Sequence, residues 1–98
     1  MKSEELILKI EATEQKLIHQ IETRNNGFSG SGTTEELKFI LQELTKLKES
    51  LRTGEIPPEN KRRLSSSKIV TGAWEINDPL GEEILEIDYI YKYELDNN

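Results

Sequence analysis

The spacing of aliphatic residues between Thr33 and Thr53 constrains the fold of this chain more than any other feature. The residues recur at alternating intervals of three and four, which places them on one face of an α-helix. They are Leu37, Ile40, Leu44, Leu47 and Leu51. Thr33 and Glu36 match a capping box at the start of this helix, and Gly54 is suited to end it. The sequence therefore predicts a strongly amphipathic helix here.

A second amphipathic helix is predicted from Ser3 to about Arg24. Its apolar stripe comprises Ile7, Ile10, Leu17 and Ile21, widened by Leu6 and Ile18. Thr13 and Glu14 take core-facing positions in its middle turn, which weakens the stripe there. The glycine- and serine-rich segment 25–34 separates the two helices and predicts a flexible linker. Two helices of similar length joined in this way are typical of an antiparallel hairpin.

Length and composition limit the remaining possibilities. Ninety-eight residues predict a single domain spanning residues 1–98. The absence of cysteine excludes disulfides and thiolate metal sites, and no apolar run approaches the length of a bilayer span. The first residues belong to an amphipathic helix rather than to a secretory signal. We therefore expect a cytoplasmic protein that does not associate with membranes.

The segment from Ile76 to Asp96 fits two structures. Its apolar residues alternate with polar ones from Leu85 to Leu95, as in a half-buried strand. Asp78 and Pro79, however, form a typical helix start, and a helix would direct Leu80, Ile84, Ile87, Tyr91 and Leu95 inward. Residues 68–76 are equally ambiguous. The pattern alone leaves open an all-α four-helix bundle built on the hairpin and an α+β fold with a carboxyl-terminal β-hairpin.

Charge is concentrated at the carboxyl end. The net charge is −6, and residues 81–98 contribute −5 of it through six acids and one lysine. Such a field repels nucleic acid, and it either attracts a basic protein surface or is a solvated acidic tail that keeps the protein soluble. The basic cluster 61–63 is expected to be a solvated face or to pair with this acidic segment, with a phosphate contact as the alternative. The serines that follow it, 65–67, offer a helix N-cap.

The stretch "RLSSSKIVTGAWEINDP", from Arg63 to Pro79, resembles a segment of the small helical immunity proteins that neutralise NAD-hydrolysing toxins of the type VI secretion system. The matching positions are Arg63, Leu64, Ile69, Val70, Trp74, Glu75, Asp78 and Pro79. Ser67 and Gly72 depart from the pattern, where a glycine and a charged residue are expected. With the leucine-rich helix before it and the aromatic segment after it, the resemblance covers roughly residues 35–93. It implies that the third and fourth elements are helices.

The resemblance also implies a function, namely that of a cognate immunity protein that blocks a secreted polymorphic toxin by occluding its active site. The toxin would be an NAD(P) glycohydrolase. The residues expected to bind this partner are Trp74, Glu75, Glu82, Glu83, Glu86, Asp88, Tyr89 and Tyr93. Tryptophan and tyrosine are common interface anchors, although Trp74 is also a natural core residue.

No catalytic or cofactor motif is recognisable. The single histidine, His19, lies on the polar side of the first helix, and no nucleophile elbow or phosphate-binding loop is present. We therefore expect neither enzymatic activity nor a metal or other cofactor. The alternative to an immunity protein is a small helical adaptor or regulator that acts through protein–protein contacts, either alone or as a homodimer.

Overall fold

A computed structural model of the chain describes residues 1–25 and 32–96. These residues contain four α-helices: α1 (Ser3–Asn25), α2 (Thr34–Thr53), α3 (Ser66–Ala73) and α4 (Pro79–Tyr89). A 3₁₀ turn (Glu59–Lys61) precedes α3, and a π-helical segment (Ile90–Glu94) continues α4. The described residues contain no strand, so the all-α prediction is confirmed and the β-hairpin alternative is wrong. Residues 26–31 of the predicted linker lie outside the described residues.

Helix α2 is bounded by the signals that the sequence predicts. Glu36 N–H donates to the Thr33 hydroxyl at 3.1 Å, and Thr33 N–H donates to the Glu36 carboxylate at 2.8 Å. At the other end Gly54 adopts φ +80°, and its N–H donates to the carbonyl of Ser50. The predicted stripe from Leu37 to Leu51 is fully or almost fully buried. The 3/4 periodicity therefore identifies the core-facing side of α2 correctly.

Helices α1 and α2 form the hairpin, and polar residues lie at the centre of their contact. Leu6, Ile10 and Leu17 are buried, whereas Ile18 is 37% exposed and does not widen the stripe as expected. Between them Glu14 is only 7% exposed. Its carboxylate accepts hydrogen bonds from the Thr45 hydroxyl at 2.7 Å and from the ammonium of Lys48 at 2.6 Å. A buried charge is costly without its partners, so this cluster favours the observed alignment of the two helices.

Helix α3 is capped by a residue of α2 rather than by its own serines. The Ser65 side chain, predicted as a cap, makes no capping hydrogen bond. Instead the Glu43 carboxylate accepts from the N–H groups of Ser65 and Ser66 at 3.0 and 2.8 Å, and from the Ser66 hydroxyl at 2.6 Å. An anion is favoured at this position because the amides of the first helical turn have no partner within the helix. The contact also fixes α3 against α2.

A tight turn connects α3 to α4. Asn77 has φ +68°, a left-handed conformation that asparagine tolerates better than most residues. The Asp78 carboxylate then accepts from Gly81 N–H at 2.9 Å, and Pro79 occupies the first helical turn, as the sequence predicts. A side chain at Gly81 would lie 3.0 Å from Cγ1 of Val70, so the glycine allows α3 and α4 to approach closely. Leu80, Ile84 and Ile87 complete the core.

Candidate functional site

The outer face of α4 and its π-helical continuation carry a stripe of acids and tyrosines. Glu82, Glu86, Tyr89 and Tyr93 follow one another at intervals of four, three and four residues, and all four are exposed. We call these residues the acidic–aromatic ridge. The rings of Tyr89 and Tyr93 contact each other, with centroids 5.2 Å apart and planes at 56°. More than half of each tyrosine remains accessible, at 56% and 65%. Four of the predicted partner-binding residues therefore share one surface.

The ridge is held in place by a buried arginine. Arg62 is 3% exposed, and its guanidinium donates to the carbonyl oxygens of Pro57, Tyr91 and Leu95, each at 3.0 Å. In the π-helical segment the N–H of Leu95 donates to the carbonyl of Ile90, five residues back, at 2.8 Å. The prediction of a solvated face for cluster 61–63 is therefore wrong for Arg62. It anchors the segment that presents Tyr93.

Burial of Tyr91 beside Arg62 has an electrostatic consequence. Tyr91 is 7% exposed, and desolvation raises the pKa of its phenol above the ordinary value of 10.0. The guanidinium of Arg62 acts in the opposite direction, since it lowers the pKa, whereas the charge of Glu43 raises it further. The phenol therefore stays neutral over the physiological pH range, as suits a core residue under the ridge.

Much of the acidity at the carboxyl end is paired within the fold. Glu83 contacts Lys16 at 2.5 Å, and Glu86 contacts Lys9 at 2.8 Å, both lysines being on α1. The Glu86 carboxylate accepts a hydrogen bond from Lys9 and attracts its charge, which raises the pKa of Lys9 above 10.5. These pairs attach α4 to α1 and neutralise part of the negative charge of α4, including that of Glu86 in the ridge. Glu82 forms no ion pair within residues 1–25 and 32–96. Its carboxylate is therefore more available to a partner than that of Glu86, the other acid of the ridge.

Two residues expected to bind a partner are buried. Trp74 is 7% exposed, and its indole packs against Gly81 of α4 and Gly32, near the start of α2. Asp88 is 9% exposed and forms an ion pair with Lys92 at 3.1 Å. Too little of either side chain is exposed to anchor a partner. We therefore assign Trp74 to the core and Asp88 to the support of the ridge.

An exposed aliphatic residue that the sequence did not single out extends the surface. Ile76 is 91% exposed and follows Glu75, which is also exposed. Both line a shallow cavity of about 290 Å³ between α3 and α4, together with Glu82 and the half-buried Leu85. Helix α3 ends at Ala73, so Ile76 lies in the turn before α4. An apolar cavity beside the ridge gives a partner side chain a place to pack.

The described part of the chain holds no group of three or more histidine, cysteine or acidic residues that could hold a metal ion. His19 is exposed, as expected. Within the same residues no helix has the length and apolar character needed to cross a membrane. Comparison of the chain with protein-family models, with curated proteins and with solved structures finds no significant match.

Proposed function

We propose that this chain is an immunity protein that binds a secreted polymorphic toxin and blocks it by covering its active site. The observation that carries the proposal is the acidic–aromatic ridge, on which two tyrosines in mutual contact stand exposed, with the unpaired carboxylate of Glu82 about two helical turns away on the same face. Tyrosine is enriched among interface hot spots, and a carboxylate near such residues steers the approach of a basic partner. The protein would act stoichiometrically and without catalysis, in the cytoplasm of the cell that makes the toxin.

Electrostatics favour an enzyme that binds a phosphorylated substrate as the partner. An NAD(P) glycohydrolase needs positive potential where it holds the two phosphates of the dinucleotide. A helix that carries carboxylates is attracted to the positively charged entrance of such an active site, and the opposite charges accelerate association. Once docked, the tyrosines of the ridge would exclude water around the contact and slow dissociation. The expected complex therefore forms fast at low salt and more slowly at high salt.

The residues that resemble the immunity family belong mostly to the structural framework and not to the proposed contact surface. Leu64, Val70 and Trp74, three of the matched residues, are buried, and the matched Asp78 caps α4. These residues fix the position of α4, whereas the ridge itself begins at Glu82. A family pattern built of framework residues is compatible with recognition residues that differ from one toxin to another.

Co-expression with a polymorphic NAD(P) glycohydrolase toxin domain from the same cell tests the proposal. Growth should be rescued by the wild-type chain and lost with the variant Glu82→Lys/Tyr89→Ala/Tyr93→Ala, because the variant removes the free charge and both exposed rings. A matched control, Glu22→Lys/Leu8→Ala/Phe39→Ala, makes the same kinds of change at exposed positions on α1 and α2. Circular dichroism should show that both variants remain helical. If the ridge variant protects as well as the wild type does, the ridge is not the contact surface.

A second function, that of a helical adaptor that forms a homodimer, is favoured by one observation. Leu8 is 66% exposed on α1 and Phe39 is 44% exposed on α2, so the hairpin retains apolar surface away from the ridge. Sedimentation equilibrium distinguishes the two functions. A concentration-dependent dimer that Leu8→Ser/Phe39→Ser abolishes would support the adaptor, whereas a monomer at all concentrations would exclude it.

A further inference from the structure

A cleft of about 760 Å³ opens at the junction of the 3₁₀ turn, α3 and the π-helical segment. Basic side chains reach it from three separate parts of the chain: Arg63 from the loop before α3, Lys68 from α3 and Lys92 from the segment after α4. Tyr93, the last residue of the ridge, lines one side of the cleft, and the buried Leu64 contributes to its floor. A volume of this size is within the usual range for sites that bind small molecules.

The basic side chains of the cleft differ in whether they form ion pairs with acidic residues. Lys92 pairs with Asp88 at 3.1 Å, and Glu59 also lines the cleft. Arg63 and Lys68 are exposed, and neither forms an ion pair within the described ranges 1–25 and 32–96. Two uncommitted positive charges therefore face one concavity of a protein whose net charge is −6. Local positive potential in an otherwise acidic molecule selects a small anion, because a long polyanion would also meet the repulsive remainder of the surface.

We propose that this cleft binds a small phosphorylated molecule that contains a ring. Its phosphate contacts Arg63 and Lys68, since a guanidinium matches phosphate oxygens in a planar fork and an ammonium adds a point charge. Its ring lies against Tyr93, whose exposed face offers stacking that tolerates many ring chemistries. This chain's own residues form the whole site, so the proposal does not depend on toxin binding.

Isothermal titration calorimetry of the full chain at low ionic strength, with adenosine 5′-monophosphate as the probe, tests this site. Inorganic phosphate, which has no ring, and adenosine, which has no phosphate, serve as partial probes. Wild-type protein should bind the monophosphate saturably and bind both partial probes more weakly. The variant Arg63→Gln/Lys68→Gln should weaken binding about tenfold or more, because it removes charge-assisted hydrogen bonds to the phosphate.

The matched control is Lys38→Gln/Lys46→Gln, which removes the same charge from two exposed lysines of α2 outside the cleft. It should bind the monophosphate as the wild type does. Equal weakening by the control would overturn the proposal, because binding would then reflect total charge. Absence of saturable binding, or adenosine binding as tightly as the monophosphate, would overturn it as well. None of these results depends on a toxin, so failure here and failure of the immunity proposal are separately recognisable.

Discussion

Replacing Arg62 by methionine removes a buried cation while it keeps a side chain of comparable length. The wild-type guanidinium is 3% exposed and joins three backbone carbonyls, those of Pro57, Tyr91 and Leu95. Methionine retains the apolar stem of the side chain but donates no hydrogen bond. The substitution therefore tests directly whether this residue attaches the end of the chain to the bundle.

The magnitude follows from the three contacts. A hydrogen bond from a charged donor contributes about 1.5–3 kcal/mol, but the three contributions are not additive, and water can reach part of this end of the chain once it loosens. We expect Arg62→Met to lower the free energy of unfolding by about 3–5 kcal/mol. That is a large fraction of the ~5–15 kcal/mol typical of a small domain. With a slope near 2 kcal/mol/M, the urea midpoint should fall by roughly 2 M.

Urea unfolding followed by the fluorescence of Trp74, the sole tryptophan, provides the measurement. The matched control is Arg63→Met at the adjacent position, which is exposed and should change stability by less than about 0.5 kcal/mol. Hydrogen exchange should also show faster exchange of the Leu95 amide in the Arg62 variant, since that amide donates to Ile90 within the anchored segment. A loss below about 1 kcal/mol, or one equal to that of the control, would refute the reasoning.

Two further predictions concern backbone space and pH. Gly32 and Gly54 both have positive φ, but a Cβ at Gly32 would lie 2.6–2.8 Å from the indole of Trp74, whereas Gly54 has open space. Alanine at Gly54 should therefore destabilise by about 1 kcal/mol, and alanine at Gly32 by about 1–3 kcal/mol more in the same urea assay; equal effects would contradict the close approach. Because burial raises the pKa of Tyr91, the unfolded state ionises first above pH 10, so stability should fall as the pH rises through that range. Tyr91→Phe should reduce this loss in thermal melts between pH 9 and 11.5, and an unchanged slope would show that other groups cause it.

Local sequence signals predict the helices well, because the forces that start and stop a helix act over a few residues. The capping box at Thr33, the left-handed Gly54 and the cap at Asp78 are all present where the pattern places them. The choice between helix and strand after residue 68 could not be made from periodicity. Residues such as Tyr89 and Tyr91 favour strands intrinsically, and only packing of the inward stripe against α1 decides for the helix.

The remaining features depend on contacts between residues far apart in the sequence. Glu43 caps α3 from 22 residues away, and Arg62 contacts Leu95 across 33 residues. Nothing in a basic tripeptide indicates that its middle member is buried, since arginine is usually exposed. The pairing of Glu83 and Glu86 with lysines of α1 also has no local sequence signal. The sequence alone therefore overstates the unpaired negative charge on α4. Long-range pairing of this kind is set by the tertiary fold and has no local signature.

The way in which Arg62 holds the final segment has a consequence for how this protein can change. Carbonyl oxygens are supplied by every amino acid, so the anchor is indifferent to which side chains the anchored residues carry. Tyr93 and Glu94 can therefore be exchanged over generations without rebuilding the bundle beneath them, whereas Lys92 is held by its ion pair with the buried Asp88. Substitutions in this final segment can therefore change which partner the surface recognises, while the helices that support it stay the same.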